Sequence, residues 1–219
     1  MSSQLRIDVL REARLDLKFL LDRGYRKQSA LKLVGDKYQL SRAERSLLFR
    51  SVMPESEAEI IRSKIIRPEQ LAGRRVLVDG FNVLNTVEAM LRGEPLILCD
   101  DEVLRDIREK HSKYRPSNLS ENALKMILEF LKSAHVAEVE VLYESQISRS
   151  GEVAGLTRHL LSEMGLRGDA RTAKTVDSLL AKSGEIIATS DSAILLRCRA
   201  FIDIPQNLAQ AVGANIIRL

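Results

Sequence analysis

Five aspartates sit where a chain could bind a metal or act on a phosphate. "VLVDGFN" (76–82) runs three apolar residues out of a core and stops on Asp79, and "EIIATSD" (185–191) does the same at Asp191. Asp177 opens the helical stretch "TVDSLLAKSG" before that second strand, and Asp100 and Asp101 follow "LILC". Taken singly, each acid has a simpler role. Asp79 can serve a turn, and Asp101, Asp177 and Asp191 can each cap a helix, where Asp suits the positive end of the dipole. Gathered on one rim, the same anions repel and resist desolvation, and a divalent cation is the usual relief. Oxygen ligands without His or Cys suit Mg2+ or Mn2+. One or two such ions can activate a water and stabilise in-line displacement at a phosphodiester.

The elements that must position these acids fall into two groups. Residues 4–72 read as helical throughout. Leu5, Val9, Leu10, Ala13, Leu17, Leu20 and Leu21 keep helical spacing. Ser41 with Glu44 is a capping-box signature. From Arg75 the pattern changes to short apolar strands alternating with helices. "RVLVD", "PLILC", "VEVLYE", "EIIATSD", "AFIDI" and "NIIRL" read as strands. "FNVLNTVEAML", "DDEVLRDIREKHSKY", "SENALKMILEFLKSA", "EVAGLTRHLLSEM", "TVDSLLAKSG" and "SAILLRCR" read as helices. This alternation predicts an α/β fold, a three-layer, mostly parallel sheet with helices on both faces, preceded by a small all-α domain over residues 1–72. Such sheets bind ligands at the carboxyl ends of their strands.

Composition narrows the chemistry. The 219 residues are 45% hydrophobic and 29% charged, enough for a buried core and too apolar for global disorder. No run of 18 apolar residues is present and the N-terminus lacks a signal-peptide block, so no membrane partner and a cytoplasmic location are expected. Cys99 and Cys198 have no partners at zinc spacing, and His111, His135 and His159 stand singly, so no nucleophilic dyad or zinc site is indicated. Residues 1–75 hold 17 basic and 10 acidic residues, a net +7, whereas the rest holds 17 and 20, a net −3. A basic first part suits a polyanion, and an ordinary solvated helical surface accounts for it equally well.

Three motifs carry a resemblance. "VLVDGFN" at a first strand end, "TVDSLLA" at a helix start and "IIATSD" at a later strand end resemble the PIN-like nuclease superfamily, and "DGFN" resembles its NYN and YacP-like branch. The resemblance spans about residues 74–219. It implies an Mg2+- or Mn2+-dependent ribonuclease in which Asp79, Asp177 and Asp191 hold metal, with Asn82, Thr189 and Ser190 in support. The family's remaining acid has no motif to fix it, and Asp101 or Asp100 is the nearest candidate for that catalytic or metal-binding place. The first part is similar to a helical domain of unknown function found joined to such PIN-like domains in prokaryotic proteins.

Two further stretches bear on substrate. In "SQISRSGE" (145–152), Ser148, Arg149 and Ser150 before a helix suit a phosphate, or form a polar loop with a Ser cap. "SALKLVGDKYQLSRAERSLLFR" reads as a helical hairpin or a helix-turn-helix whose Arg42, Arg45 and Arg50 would face nucleic acid. The expectation is a metal-dependent nuclease acting on RNA, with a homodimer allowed. The alternative is a catalytically inactive nucleic-acid-binding or regulatory protein of the same fold. A haloacid-dehalogenase-like phosphatase also opens on a strand ending in Asp, but needs a second acid where Phe81 stands.

Overall fold

The computed structural model describes residues 5–107 and 114–219. Four helices come first: α1 (Ile7–Asp22), α2 (Lys27–Lys37), α3 (Arg42–Ser51) and α4 (Glu55–Arg62). Leu10, Ala13, Leu17 and Leu21 form the buried stripe of α1. At the head of α3, Ser41 and Glu44 exchange the two hydrogen bonds of a capping box. The buried Glu44 carboxylate also takes Arg6, and that hydrogen bond holds its pKa down at about 2.

A short 3-10 turn (Pro68–Leu71) leads into the α/β part. Its elements are β1 (Arg75–Asp79), α5 (Gly80–Leu91), β2 (Leu96–Leu98), β3 (Leu104–Asp106), α6 (Asn118–Ser133), β4 (Glu138–Glu144) and α7 (Ser150–Glu163). Then follow β5 (Gly168–Ala173), α8 (Val176–Lys182), β6 (Ile186–Ala188), α9 (Ser192–Leu195), β7 (Ala200–Phe201), α10 (Ile204–Val212) and β8 (Ile216–Arg218). Five strands form one all-parallel sheet in the order β5-β4-β1-β6-β7. Val76, Val78, Val139, Val141 and Ala188 pack with α5, α6 and α7 in one core, while Leu77, Leu142 and Ile187 pack with α4, α8 and α9 in another. Because side chains alternate along a strand, these two sets mark opposite faces of the sheet.

A second sheet, β3-β2-β8, stands apart. Its Ile97 joins Cys99, just past β2, in the core of α1–α3, so the helical part completes its interior with residues of the second part. Asp100 fastens the two. Its carboxylate takes Arg14 on Oδ1 (2.9 and 2.7 Å) and the Met53 N–H on Oδ2 (3.2 Å), with Lys18 3.5 Å away.

Three expectations need correction. The segment from Asp100 is not a helix: β2 and β3 form an antiparallel hairpin. Glu102 takes φ +62°, and the Asp101 carboxylate accepts the Val103 N–H at 3.3 Å, so side-chain hydrogen bonding competes with the helix that the apolar spacing suggested. The remainder of that expected helix, residues 108–113 with His111, lies outside the described residues. β5, "GDARTA", was not anticipated, because an exposed edge strand carries no apolar run. "AFIDI" gives only two strand residues before Asp203 caps α10.

The Asp79–Gly80 step has a packing reason. A Cβ on Gly80 would lie 2.4 Å from the ring of Tyr143, which is fully buried, bonded to Thr157 at 2.7 Å and edge-on to Phe81. Gly80→Ala should therefore cost about 1–3 kcal/mol by overpacking, read as a fall in Tm of several degrees; an unchanged Tm would contradict this packing. Asp203 is fully buried, and burial pushes its carboxyl up to about 6 although it accepts the Leu104 and Gln206 N–H groups. A raised acid binds its proton more tightly in the folded state, so its contribution to stability declines as pH rises from about 4 to about 6. Asp203→Asn can keep the cap to the Gln206 N–H, gives up the acceptor for the Leu104 N–H at a cost independent of pH, and removes that decline. The variant should gain on the wild type between pH 4 and pH 7 in urea unfolding, and an equal gap at both would refute the argument.

Candidate functional site

All five strands of the main sheet run the same way, so the turns after β1, β4, β5 and β6 leave from one edge. The chain order reverses beside β1: β4 and β5 continue on one side, β6 and β7 on the other. Ligands of open parallel sheets bind at such a switch point. Asp79 ends β1 there, and Thr189, Ser190 and Asp191 follow β6.

These residues are tied together. The Thr189 hydroxyl donates to Asp79 Oδ2 at 2.7 Å and accepts the Asp191 N–H at 3.2 Å. Asn82, in the first turn of α5, accepts both the Ser190 N–H (2.7 Å) and the Ser190 hydroxyl (2.9 Å). Asp79, Thr189 and Ser190 are buried, and Asp191 is half-buried. Asp191 Oδ1 caps α9 by accepting the Ala193 N–H at 2.9 Å, so capping and membership of this cluster coexist. Asp177 is exposed in the first turn of α8, the helix that follows β5 and packs against β1 and β4. It shares the edge but not the hydrogen-bond web.

Asp100 and Asp101 are placed differently from the sequence expectation. Asp100 is engaged by Arg14 and Met53, as described above. Asp101 is fully buried and bound on both oxygens by Arg105, Nη1 to Oδ1 at 2.8 Å and Nη2 to Oδ2 at 2.6 Å. Asp101 is closed by a bidentate guanidinium, and Asp100 is buried with Arg14 on one oxygen and the Met53 N–H and Lys18 on the other, so both carboxylates are already engaged by cationic side chains. Arg105 matters in another way: its Nε donates to the Ser190 carbonyl at 2.7 Å, supporting the loop from below.

The sequence reading passed over Arg105, hidden in a segment read as a helix, and Glu144. Glu144 ends β4, the strand beside β1, and follows Leu142 by two positions, so it projects to the same face as Asp79, two positions after Leu77. The signal was available, since "VEVLYE" is an apolar strand stopping on an acid just as "VLVD" is. Ser148 lies on the same edge, exchanging hydrogen bonds with the Tyr114 backbone at 2.9 and 3.1 Å. Arg149 is exposed and left-handed, its Nε 3.6 Å from Glu152, while Ser150 is buried at the start of α7. In the helical part, Arg45 is held by Asp36 and the Leu40 carbonyl, and Arg50 by Asp106. Arg42 is exposed on the first turn of α3.

The donor set is all oxygen, which fits a hard cation. Among the described residues, no three of His, Cys, Asp and Glu stand close enough to hold one ion as the side chains lie. Burial pushes the Cys99 thiol up to about 11 and also raises that of Cys198, so neither is a thiolate at neutral pH. Among the described residues no helix is long and apolar enough to cross a membrane.

Comparison with known proteins divides the chain in two. Residues 9–64 match a family described as "Protein of unknown function (DUF434)", and residues 68–207 match "Domain of unknown function (DUF5616)". The chain is also 33% identical over 186 residues to "Uncharacterized protein MJ0935" of Methanocaldococcus jannaschii, covering 85% of this chain and 88% of that one. None of these descriptions carries an activity. The second match takes in β1 through the first turns of α10, and with it every acid of the switch-point edge, so this chain belongs to the family of the domain of unknown function DUF5616.

Proposed function

We propose that the chain is a divalent-cation-dependent nuclease acting on RNA, with its centre at the switch-point edge. The observation that carries the reading is the Thr189 bridge, which ties the Asp79 carboxylate to the backbone N–H of Asp191 where the strand order reverses. The strand order and the two cores on opposite faces support the finer fold reading, a PIN-like three-layer arrangement. Asp79, Asp191 and Asp177 would hold Mg2+ or Mn2+, with Glu144 the further acid on their face. A bound cation would supply charge stabilisation to the displacement at phosphorus. The protein's own part is positioning. Thr189 fixes the Asp79 carboxylate, Asn82 orients the Ser190 backbone, and Arg105 holds that loop's carbonyl. Arg149, exposed at the same edge, offers a guanidinium to a phosphate.

One observation favours a second reading, a binding protein that does not cut. Asp177 is exposed and outside the web, and the two acids expected to complete the set are closed by Arg14 and Arg105.

Asp79→Asn decides between them. It keeps the shape and can still accept from Thr189, but removes one anionic ligand. Cleavage of labelled RNA in Mn2+ should fall by at least about a hundredfold if the reading holds, while RNA affinity holds or rises with one repulsive charge gone. A mutant that cuts as fast as wild type, or a wild type that cuts under no divalent metal, sinks the nuclease reading in favour of the binding one.

A further inference from the structure

Large exposed aromatic rings are confined to the helical part. Phe19, Tyr25 and Phe49 are 54%, 56% and 43% exposed, whereas every described phenylalanine and tyrosine of the α/β part is buried or half-buried. That confinement coincides with the +7 charge of residues 1–75. The rings also keep cations beside them. The Arg23 guanidinium lies 3.4 Å from the centroid of Phe19, and the Lys27 ammonium 4.9 Å from that of Phe49.

These residues gather at one end of the helices. Phe19 and Arg23 lie at the end of α1, Tyr25 in the turn that follows, Lys27 at the start of α2 and Phe49 near the end of α3. Asp22, the last residue of α1, accepts the Glu55 N–H at 2.7 Å and so draws the start of α4 to the same end. That end adjoins the Asp100 turn, since Lys18 reaches both the Met53 carbonyl (3.2 Å) and Asp100. Burial, together with the nearby positive charge of Arg105, lowers the pKa of the Lys27 ammonium, consistent with a place close to the residue that supports the Ser190 loop.

We infer that this end of the helical part is a stacking platform for unpaired bases, so that the substrate is a single strand whose bases lie on Phe19, Tyr25 and Phe49 while its phosphates meet the exposed Arg23. Rings take any base through its face, and cations track the backbone, giving single-strand binding without sequence preference. Paired bases bury their faces in the stack and have none to offer. The inference rests on the nucleic-acid reading above but not on cleavage.

The test uses the full-length chain in EDTA with a labelled oligouridine of about 20 nucleotides and a duplex of the same length as probes. The single strand should bind more tightly. Tyr25→Ala with Phe49→Ala should weaken it by roughly thirtyfold or more, the loss of two base stacks, with the salt slope unchanged. Arg23→Ala should instead flatten the slope of log K against log salt by about 0.7. Phe49→Trp should restore binding. Circular dichroism checks that the exposed-site variants remain folded. Equal affinity of wild type and the double variant, or a preference for the duplex, overturns the platform. So does a double variant that loses only self-association in sedimentation, which would make these rings a protein contact. Because no cutting is measured, an enzyme that proves inactive but binds through these rings leaves the inference standing. An active one indifferent to them removes the inference alone.

Discussion

A guanidinium and a carboxylate meet out of solvent at Arg105 and Asp101, and the arrangement of the molecule depends on that pair. Such a pair survives burial only with near-ideal geometry and with its remaining donors satisfied. Two short parallel hydrogen bonds join the pair, and the guanidinium Nε–H is spent on the Ser190 carbonyl, so each of its three nitrogens has a partner. Around this pair three things are fixed together. The β2–β3 hairpin closes, the neighbouring Asp100 is presented to α1 and to the end of α3, and the loop after β6 is set at the sheet edge. Removing either partner would leave an uncompensated buried charge, so the pair reads as architecture around a site and not as the site.

The edge shows how one residue type divides its labour. Asp79 is buried at a strand end and hydrogen-bonded by a hydroxyl. Asp191 caps a short helix while its backbone joins the same hydroxyl. Asp177 sits in water at a helix start. Their environments differ, and so does what each could give a cation: a fixed oxygen, a shared one and a mobile one.

Much of this was legible in the sequence because it is written in periodicity. A strand that stops on an acid shows in "VLVDGFN" and "IIATSD", and the capping box at Ser41 and Glu44 announces itself by spacing alone. Asn82, Thr189 and Ser190, singled out in the sequence, are joined by hydrogen bonds to Asp79 and to one another in the structure. What stayed hidden is tertiary. Val103, Leu104 and Ile107 keep helical spacing yet form a hairpin, because Asp101 and Arg105 close the turn by an interaction that no local propensity encodes. Gly80 carries no local signal of its role, whose reason is the ring of Tyr143, 63 positions further along the chain. β5 gave no apolar signal because one side faces α7 and the other faces solvent.

One seam deserves a wider view. Residues 64–66, between the two family segments, run alongside β7: Ile65 bridges Phe201, Ile66 N–H donates to the Phe201 carbonyl at 2.9 Å, and Phe201 N–H donates to Lys64 at 3.0 Å. The connector is thus itself a margin of the main sheet. Sequence neighbours that look like separable modules share a hem, and closing it brings together residues more than 130 positions apart. Such long-range closure is slow to find, so this margin should form late in folding, after β1 and its partners are set. Taking the first module away would uncover the Phe201 margin of β7, which the connector now pairs.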